Sequence, residues 1–321
     1  MLYPLTFRPI FKERVWGGRQ LEKLYQKPLP PAKRIGESWE ISDRPGDISV
    51  IANGPLAGHD LRWLMEQHRA ELLGSAQPAN GRFPLLIKWL DAREKLSLQV
   101  HPAAATRFGG ELKTELWLIA ESTAEGELFA GLKRGVTRDD FERKIHEGTV
   151  AECFHCLHVK PGDAMFVPSG RVHGIGAGNV VMEIQQNSDT TYRVFDWNRM
   201  GLDGRPRELH VAESLAAIDF NDFEPSLVAG GFSGGGPVAV RHLVAGPPFR
   251  ADLLEIGRGA RLPLHQPVPV IIGVVKGRLK ISHREHELPL TDGQFVLIPA
   301  GLEPVHLTAE TQVSLVQTEP G

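Results

Sequence analysis

Residues 162–193, GDAMFVPSGRVHGIGAGNVVMEIQQNSDTTYR, decide how the rest of the chain is read. The first part spaces Gly162, Pro168, Gly170 and His173 as G-x5-P-x-G-x2-H. Gly162 with Asp163 makes a tight turn of the kind that opens a hairpin. Residues 164–167 are a short apolar run of strand length. Pro168 and Gly170 then break the strand, so the chain bends and a histidine is presented just past the bend. A small β-barrel can place an imidazole inside its mouth in this way, where it is available to a metal.

The partners for such a metal lie upstream, in LSLQVHP (96–102) and KTELW (113–117). Gln99 and His101 are two apart in an apolar strand, so they share one face while Leu98 and Val100 take the other. Glu115 opens another short apolar segment. Two imidazoles, a carboxylate and an amide oxygen suit Zn²⁺ and leave room for an oxygen ligand. Taken singly, His101 reads as a strand-end residue, His173 as a turn residue and Glu115 as a solvated acid. The three segments in this order, with the glycine–proline frame around His173, favour a site.

That frame resembles the second conserved motif of the cupin superfamily. The chain as a whole resembles the type I phosphomannose isomerases in their short bacterial form. The resemblance runs from VWGG (15–18) and GESWEISD (36–43) through FPLLIKWLDAREKLSLQVHP (83–102) and KTELW to SDTTYRVFDWNR (188–199). It is dense over the first two thirds and weak over the last. It implies a metal held by Gln99, His101, Glu115 and His173, one Zn²⁺ per chain, and a catalytic arginine at Arg193. It also brings Lys88, Lys113 and Glu183 into the site. The implied activity is interconversion of mannose 6-phosphate and fructose 6-phosphate by proton transfer between C1 and C2 through an enediolate. Lys88, Lys113 and Ser97, which is two before Gln99 on the same strand face, are the expected substrate grip. The proton carrier stays open between Glu183, Lys113 and a water on the metal. Two other classes compete: a sugar-phosphate-binding cupin without turnover, and another cupin metalloenzyme such as an iron dioxygenase. Gln99 in place of a third imidazole speaks against the latter.

The chain reads as mainly β with helical insertions, in two cupin-type jelly-roll β-barrels, the first metal-binding and the second degenerate. Strands are expected at 39–42, 48–52, 85–90, 116–119, 164–167 and 180–185. Helices are expected at about 60–73, 138–147 and 211–218, the second with Thr137 and Asp140 as a capping pair and Gly148 as its stop. Residues 1–228 form the expected catalytic unit and 229–237, AGGFSGGGP, a glycine-rich linker. Residues 238–321 form the second unit. There DGQFVLIPAGLEPVHL repeats the frame with Gly293, Pro299 and Gly301, but Pro304 stands at the histidine position and His306 is displaced by two.

With 321 residues, 41% hydrophobic and 23% charged, the composition is that of a globular protein. A net charge of −3 offers no cationic excess for nucleic acid or anionic membranes, while a sugar phosphate needs only a few local cations. The N-terminal residues lack a signal-peptide core, so the protein is expected in the cytoplasm as a monomer or homodimer. Cys153 and Cys156 in CFHC fall on opposite faces of a strand, so both are expected to be reduced and unpaired. Trp16, Trp39, Trp89 and Trp117 are expected in the core, with Trp16 beside two glycines that permit close approach.

Overall fold

The computed structural model describes residues 2–103, 108–265, 267–302 and 304–321. The chain is mainly β, as its alternating apolar runs require. A six-stranded sheet has the order Ile10–Gly18, Ile35–Ile41, Leu85–Ala92, Asn179–Gln186, Glu115–Ser122, Ala164–Val167. Against it lies a five-stranded sheet, Tyr192–Phe195, Leu98–Val100, His173–Ile175, Glu127–Leu132, Phe154–His158. In the C-terminal third a second five-stranded sheet runs Val238–Val244, Phe249–Ile256, Val313–Pro320, Val270–Lys276, Phe295–Ile298. Its companion is a four-stranded sheet, Arg261–Leu264, Val305–Ala309, Leu279–His283, His286–Leu290.

The four sheets stack in series, and strand alternation shows why. On Leu85–Ala92, Ile87 and Trp89 face one core while Leu90 and Ala92 face another. The first core joins the six-stranded sheet to the C-terminal five-stranded one through Met182, Leu253, Ile271 and Phe295. The second lies between the two N-terminal sheets and contains Trp117, Leu128, Ile175 and Val181. A third, purely aliphatic core fills the C-terminal pair. Slipping Leu85–Ala92 by one residue would drive Lys88 into the first core, so the register is strongly specified.

The expected barrels are not closed. The edge strands of each facing pair do not bond to one another among the described residues. Pro168, with no N–H to give, and Gly170, at φ +90°, turn the chain out of one sheet before it enters the other, which ends the pairing there.

Helices Leu61–Gln67 and Arg69–Leu73 replace the single expected helix at 60–73. His68 leaves the helical region, its ring lying against Trp63 and its Nδ1 2.9 Å from Glu71. Arg138–Glu147 and Val211–Ala217 match expectation, with Thr137 accepting from the Asp140 N–H. Both back the outer face of the N-terminal five-stranded sheet. The strand expected at 48–52 shrinks to Asp47–Ile48, because Val50 and Ile51 pair singly with Asp60 and Phe7. Cys153 ends a short 3-10 turn, Val150–Cys153, and the strand starts only at Phe154. Both cysteines are free, Cys153 buried and Cys156 exposed. The glycine-rich stretch at 229–237 contains no named strand or helix, yet Ser233 exchanges both backbone hydrogen bonds with Val240.

One carbonyl of the C-terminal half takes two side-chain donors from the N-terminal half. Gly293 O accepts from Trp89 Nε1 at 3.0 Å and from Lys27 Nζ at 3.2 Å, all within the buried interior. Lys27 in turn pairs with Glu40 at 2.7 Å. Gly293 sits at φ +77°, and a Cβ there would strike the Tyr25 side chain, so only glycine fits. Among the described residues, no helix is long and apolar enough to cross a membrane.

Candidate metal centre and active site

The bend at Pro168–Gly170 delivers His173 to a short strand directly opposite Gln99, whose other neighbour is Arg193. Gln99 and His101 point between the two N-terminal sheets because Leu98 and Val100 are taken up by the helix-backed core outside. Glu115 and Trp117 reach in from the facing sheet. His101, Glu115 and His173 are each at most 1% exposed, and their ligand atoms lie within 4.8 Å of one another.

Their hydrogen bonds prepare them for a cation. His101 Nδ1 bonds the Thr190 carbonyl at 2.8 Å, and His173 Nδ1 bonds the Arg171 carbonyl at 2.9 Å. Each Nδ1 therefore carries the proton, which fixes the tautomer and leaves Nε2 as a lone pair. Burial pushes the His101 pKa down to about 3 and also lowers that of His173, so both rings are neutral. His101 Nε2 then faces Glu115 Oε1 at 3.1 Å, acceptor against acceptor. Glu115 Oε2 is buried with no hydrogen-bond partner. Burial alone would raise the Glu115 pKa, but the Lys113 ammonium beside it outweighs burial and holds the group well below the carboxylate range. Two lone pairs and an ionised, half-orphaned carboxylate are the donor set of a divalent metal site. Gln99 Nε2 lies 3.2 Å from His173 Nε2, and its oxygen takes the Ser97 hydroxyl at 3.2 Å. Turning that amide over brings its oxygen to the cluster.

Above the cluster opens a cavity of about 530 Å³. Lys88, Ser97, Gln99, Lys113, Glu183 and Arg193 all line it, so the sequence-expected residues converge on one place. Lys113 Nζ pairs with Glu115 at 2.9 Å, and Lys88 Nζ with Glu183 at 3.0 Å. Burial would lower the Lys113 pKa, but Glu115 and Glu183 beside it raise it, so Lys113 stays an ammonium. For Glu183, burial and the neighbouring Glu115 charge raise the pKa against the opposing pull of Lys88 and Lys113. Trp117 Nε1 donates to its other oxygen at 3.1 Å. Arg193 Nη1 donates to the Glu208 carbonyl at 2.7 Å, while its Nε is buried without a partner. Burial and Arg207 lower its pKa to about 10, which leaves it protonated at neutral pH. Asp196 does not pair with it, being held by Arg199 at 2.7 Å and Arg207 at 3.3 Å. Trp39, Trp89 and Trp117 are core residues, and Trp16 is both buried and a wall of the cavity.

Sequence reasoning missed Glu37, Arg14 and Arg207, which also line the cavity. The strand Ile35–Ile41 is buried throughout, and GESWE places Glu37 and Trp39 on one face, so an acid inside a buried strand was the available signal for Glu37. Arg207 sits in an irregular loop with no periodic signal.

Stacked antiparallel sheets with a histidine–carboxylate cluster under a charged cavity define a β-sandwich protein with a candidate metal centre. The profile of the phosphomannose isomerase type I catalytic domain matches residues 5–114. A mannose-6-phosphate isomerase of Bacillus subtilis is 36% identical over 303 residues, covering 93% of this chain and 94% of that protein. The crystal structure of mannose 6-phosphate isomerase from Bacillus subtilis superposes with a TM-score of 0.90 at 30% identity, covering 99% of each chain. A zinc-bound mannose 6-phosphate isomerase shares the fold, with a TM-score of 0.79 at 17% identity over 99% of this chain and 100% of that one. The chain belongs to the type I phosphomannose isomerase family, a family of isomerases.

Proposed function

We propose that this chain interconverts mannose 6-phosphate and fructose 6-phosphate, with one Zn²⁺ held by Gln99, His101, Glu115 and His173. The observation that carries the metal is the buried, unpartnered Glu115 Oε2 facing two Nε2 lone pairs. The names of the relatives carry the substrate. When bound, the metal supplies a fixed positive charge beside the C1 and C2 oxygens of the sugar.

The protein's own groups do the rest. Arg193, on the cavity wall, presents a planar guanidinium to the negative charge of an enediolate. Glu183 carries the proton between C1 and C2, because its raised pKa suits a base that must also give the proton back. Lys113 is held protonated by two carboxylates and is a poor base but a good hydrogen-bond donor. Lys88, Ser97 and Lys113 face the substrate from the cavity wall.

The two sheet pairs are read as two jelly rolls of the cupin type, divided at 229–237, the second without a metal. Their strand orders support this, since the arrangement of the first pair recurs in the second. A monomer or a homodimer is compatible with a site built from these residues. A charged sugar phosphate does not cross a bilayer unaided, which goes with a cytoplasmic enzyme. The test is a coupled isomerase assay over several aldose 6-phosphates, before and after chelation. Activity on mannose 6-phosphate that survives complete metal removal would sink the metal assignment, and equal activity on mannose would sink the sugar-phosphate assignment.

A further inference from the structure

The cavity wall carries a row of four charges on four neighbouring strands: Arg14, Glu37, Lys88 and Glu183. The register sets the row, with Trp39 opposite Lys88 and Lys88 opposite Glu183. Glu37 is fixed independently of Lys88. Its Oε1 takes Arg14 Nε at 2.6 Å and its Oε2 takes Trp39 Nε1 at 2.6 Å. Lys88 Nζ lies 5.1 Å from the centre of the Trp39 ring, 3.0 Å from Glu183 and 3.9 Å from Glu37. Glu37, Lys88 and Glu183 are each buried to 9% exposure or less, so water does not screen them from one another.

We infer that Glu37 is a positioning residue that acts through Lys88, a reading that rests on the proposed isomerase function. Lys88 already pairs with Glu183 at 3.0 Å, and Glu37, 3.9 Å away on the other side, offers the ammonium a second anchored carboxylate. With the Glu37 charge gone, Glu183 is the carboxylate left to Lys88 and that pair tightens. A carboxylate locked in a full buried ion pair is a weaker base and is no longer aimed at the sugar. The alternation of charge along the row, plus, minus, plus, minus, is what keeps Lys88 between its neighbours.

The experiment is steady-state isomerisation of mannose 6-phosphate by the zinc-loaded full chain, with Glu37→Gln, Lys88→Met and both together. Glu37→Gln keeps the side-chain size and a partner for Trp39. It is expected to lower kcat roughly tenfold to a hundredfold, the scale of a misplaced catalytic group. KM should stay within about twofold of the parent, since the effect is on the reacting groups and not on uniform binding. In the Lys88→Met background, Glu37→Gln should add no further loss. A parental kcat in Glu37→Gln, a matching rise in KM, or losses that multiply in the double variant each overturn the inference. Should Glu37→Gln fail to fold, Glu37→Asp takes its place: the shorter carboxylate keeps its charge but draws back from Lys88, and the same double-variant comparison decides. An active parent with an insensitive Glu37 overturns this inference alone, whereas a parent without isomerase activity overturns the functional reading beneath it.

Discussion

The two sheet pairs share one strand order, and only one of them encloses a buried cluster of acids and lysines. In the first, Leu85–Ala92, Asn179–Gln186, Glu115–Ser122 and Ala164–Val167 are adjacent in that order. In the second, Phe249–Ile256, Val313–Pro320, Val270–Lys276 and Phe295–Ile298 repeat it. Pro168 and Pro299 end equivalent strands. Glu115 pairs with Val167, the residue before the first proline, and Val270 pairs with Ile298, the residue before the second. So Val270 stands where Glu115 does, and Pro304 stands where His173 does. The space between the second pair is filled by Leu, Ile, Val and Ala side chains, with His283 buried on the same strand face as Leu279 and Ile281. The shared frame sets where a strand ends and which way the next residue faces. A handful of residues then decides whether the space between the sheets is a core or a reaction chamber.

The largest expected effect tests the charged side of that contrast. His101→Ala and His173→Ala should each lose bound zinc and essentially all turnover, since an incomplete ligand shell does not retain the metal. Metal analysis checks this, and full zinc content in either variant shows that the ligands are elsewhere. Arg193→Ala should keep fold and zinc but lower kcat by roughly two to three orders of magnitude, as removing a preorganised oxyanion donor does. Lysine there should rescue poorly, because it offers a point charge and not a planar fork. A melting curve beside the kinetics separates this from a structural role, which would leave an unstable, metal-poor protein.

The uncharged side breaks more gently. Val270→Glu places a carboxylate at the matching position, in a cluster of Leu, Ile and Val side chains. It should destabilise the protein by about 3 kcal/mol, the cost of burying an unpaired charge or protonating it. Denaturant titration measures this, and a variant as stable as the parent would mean the second core admits water.

A smaller effect concerns pH. Burial and Glu115 raise the Glu183 pKa, and Lys88 opposes them. Removing that opposition with Lys88→Met raises the pKa further. The base must be ionised to act, so the acid limb of the kcat profile should move to higher pH. A limb that stays put or moves down would take the role of base from Glu183. The smallest effect is at Cys156, exposed on the edge strand Phe154–His158, where Cys156→Ser should change stability by less than about 0.5 kcal/mol.

How much was legible follows from what each residue depends on. Gln99 and His101 could be read from strand alternation, and His173 from the proline–glycine bend, because both are local properties of the chain. Lys88 could not. Inside LLIKWL it reads as a lysine beside a strand, and its partners Glu37 and Glu183 lie about 50 and 95 positions away, contacts that only the sheet order creates. Glu37 was quoted within a motif yet passed over, since its meaning comes from Arg14 on the neighbouring strand. The break at His68 was missed because apolar spacing continues through it, and the ring contacts that interrupt the helix are invisible to periodicity.

The shared acceptor at Gly293 bears on how such a protein can change over generations. Trp89 and Lys88 are consecutive on one strand, one reaching toward the C-terminal half and the other into the cavity. The C-terminal half thus holds the Trp89 side chain, next in the chain to a cavity lysine. Swapping that half for one from a distant relative would have to preserve a left-handed glycine against Tyr25 and an interior meeting point for two donors. The C-terminal half is therefore constrained in its inheritance although none of the described residues lining the chamber belongs to it, and the two halves must travel together.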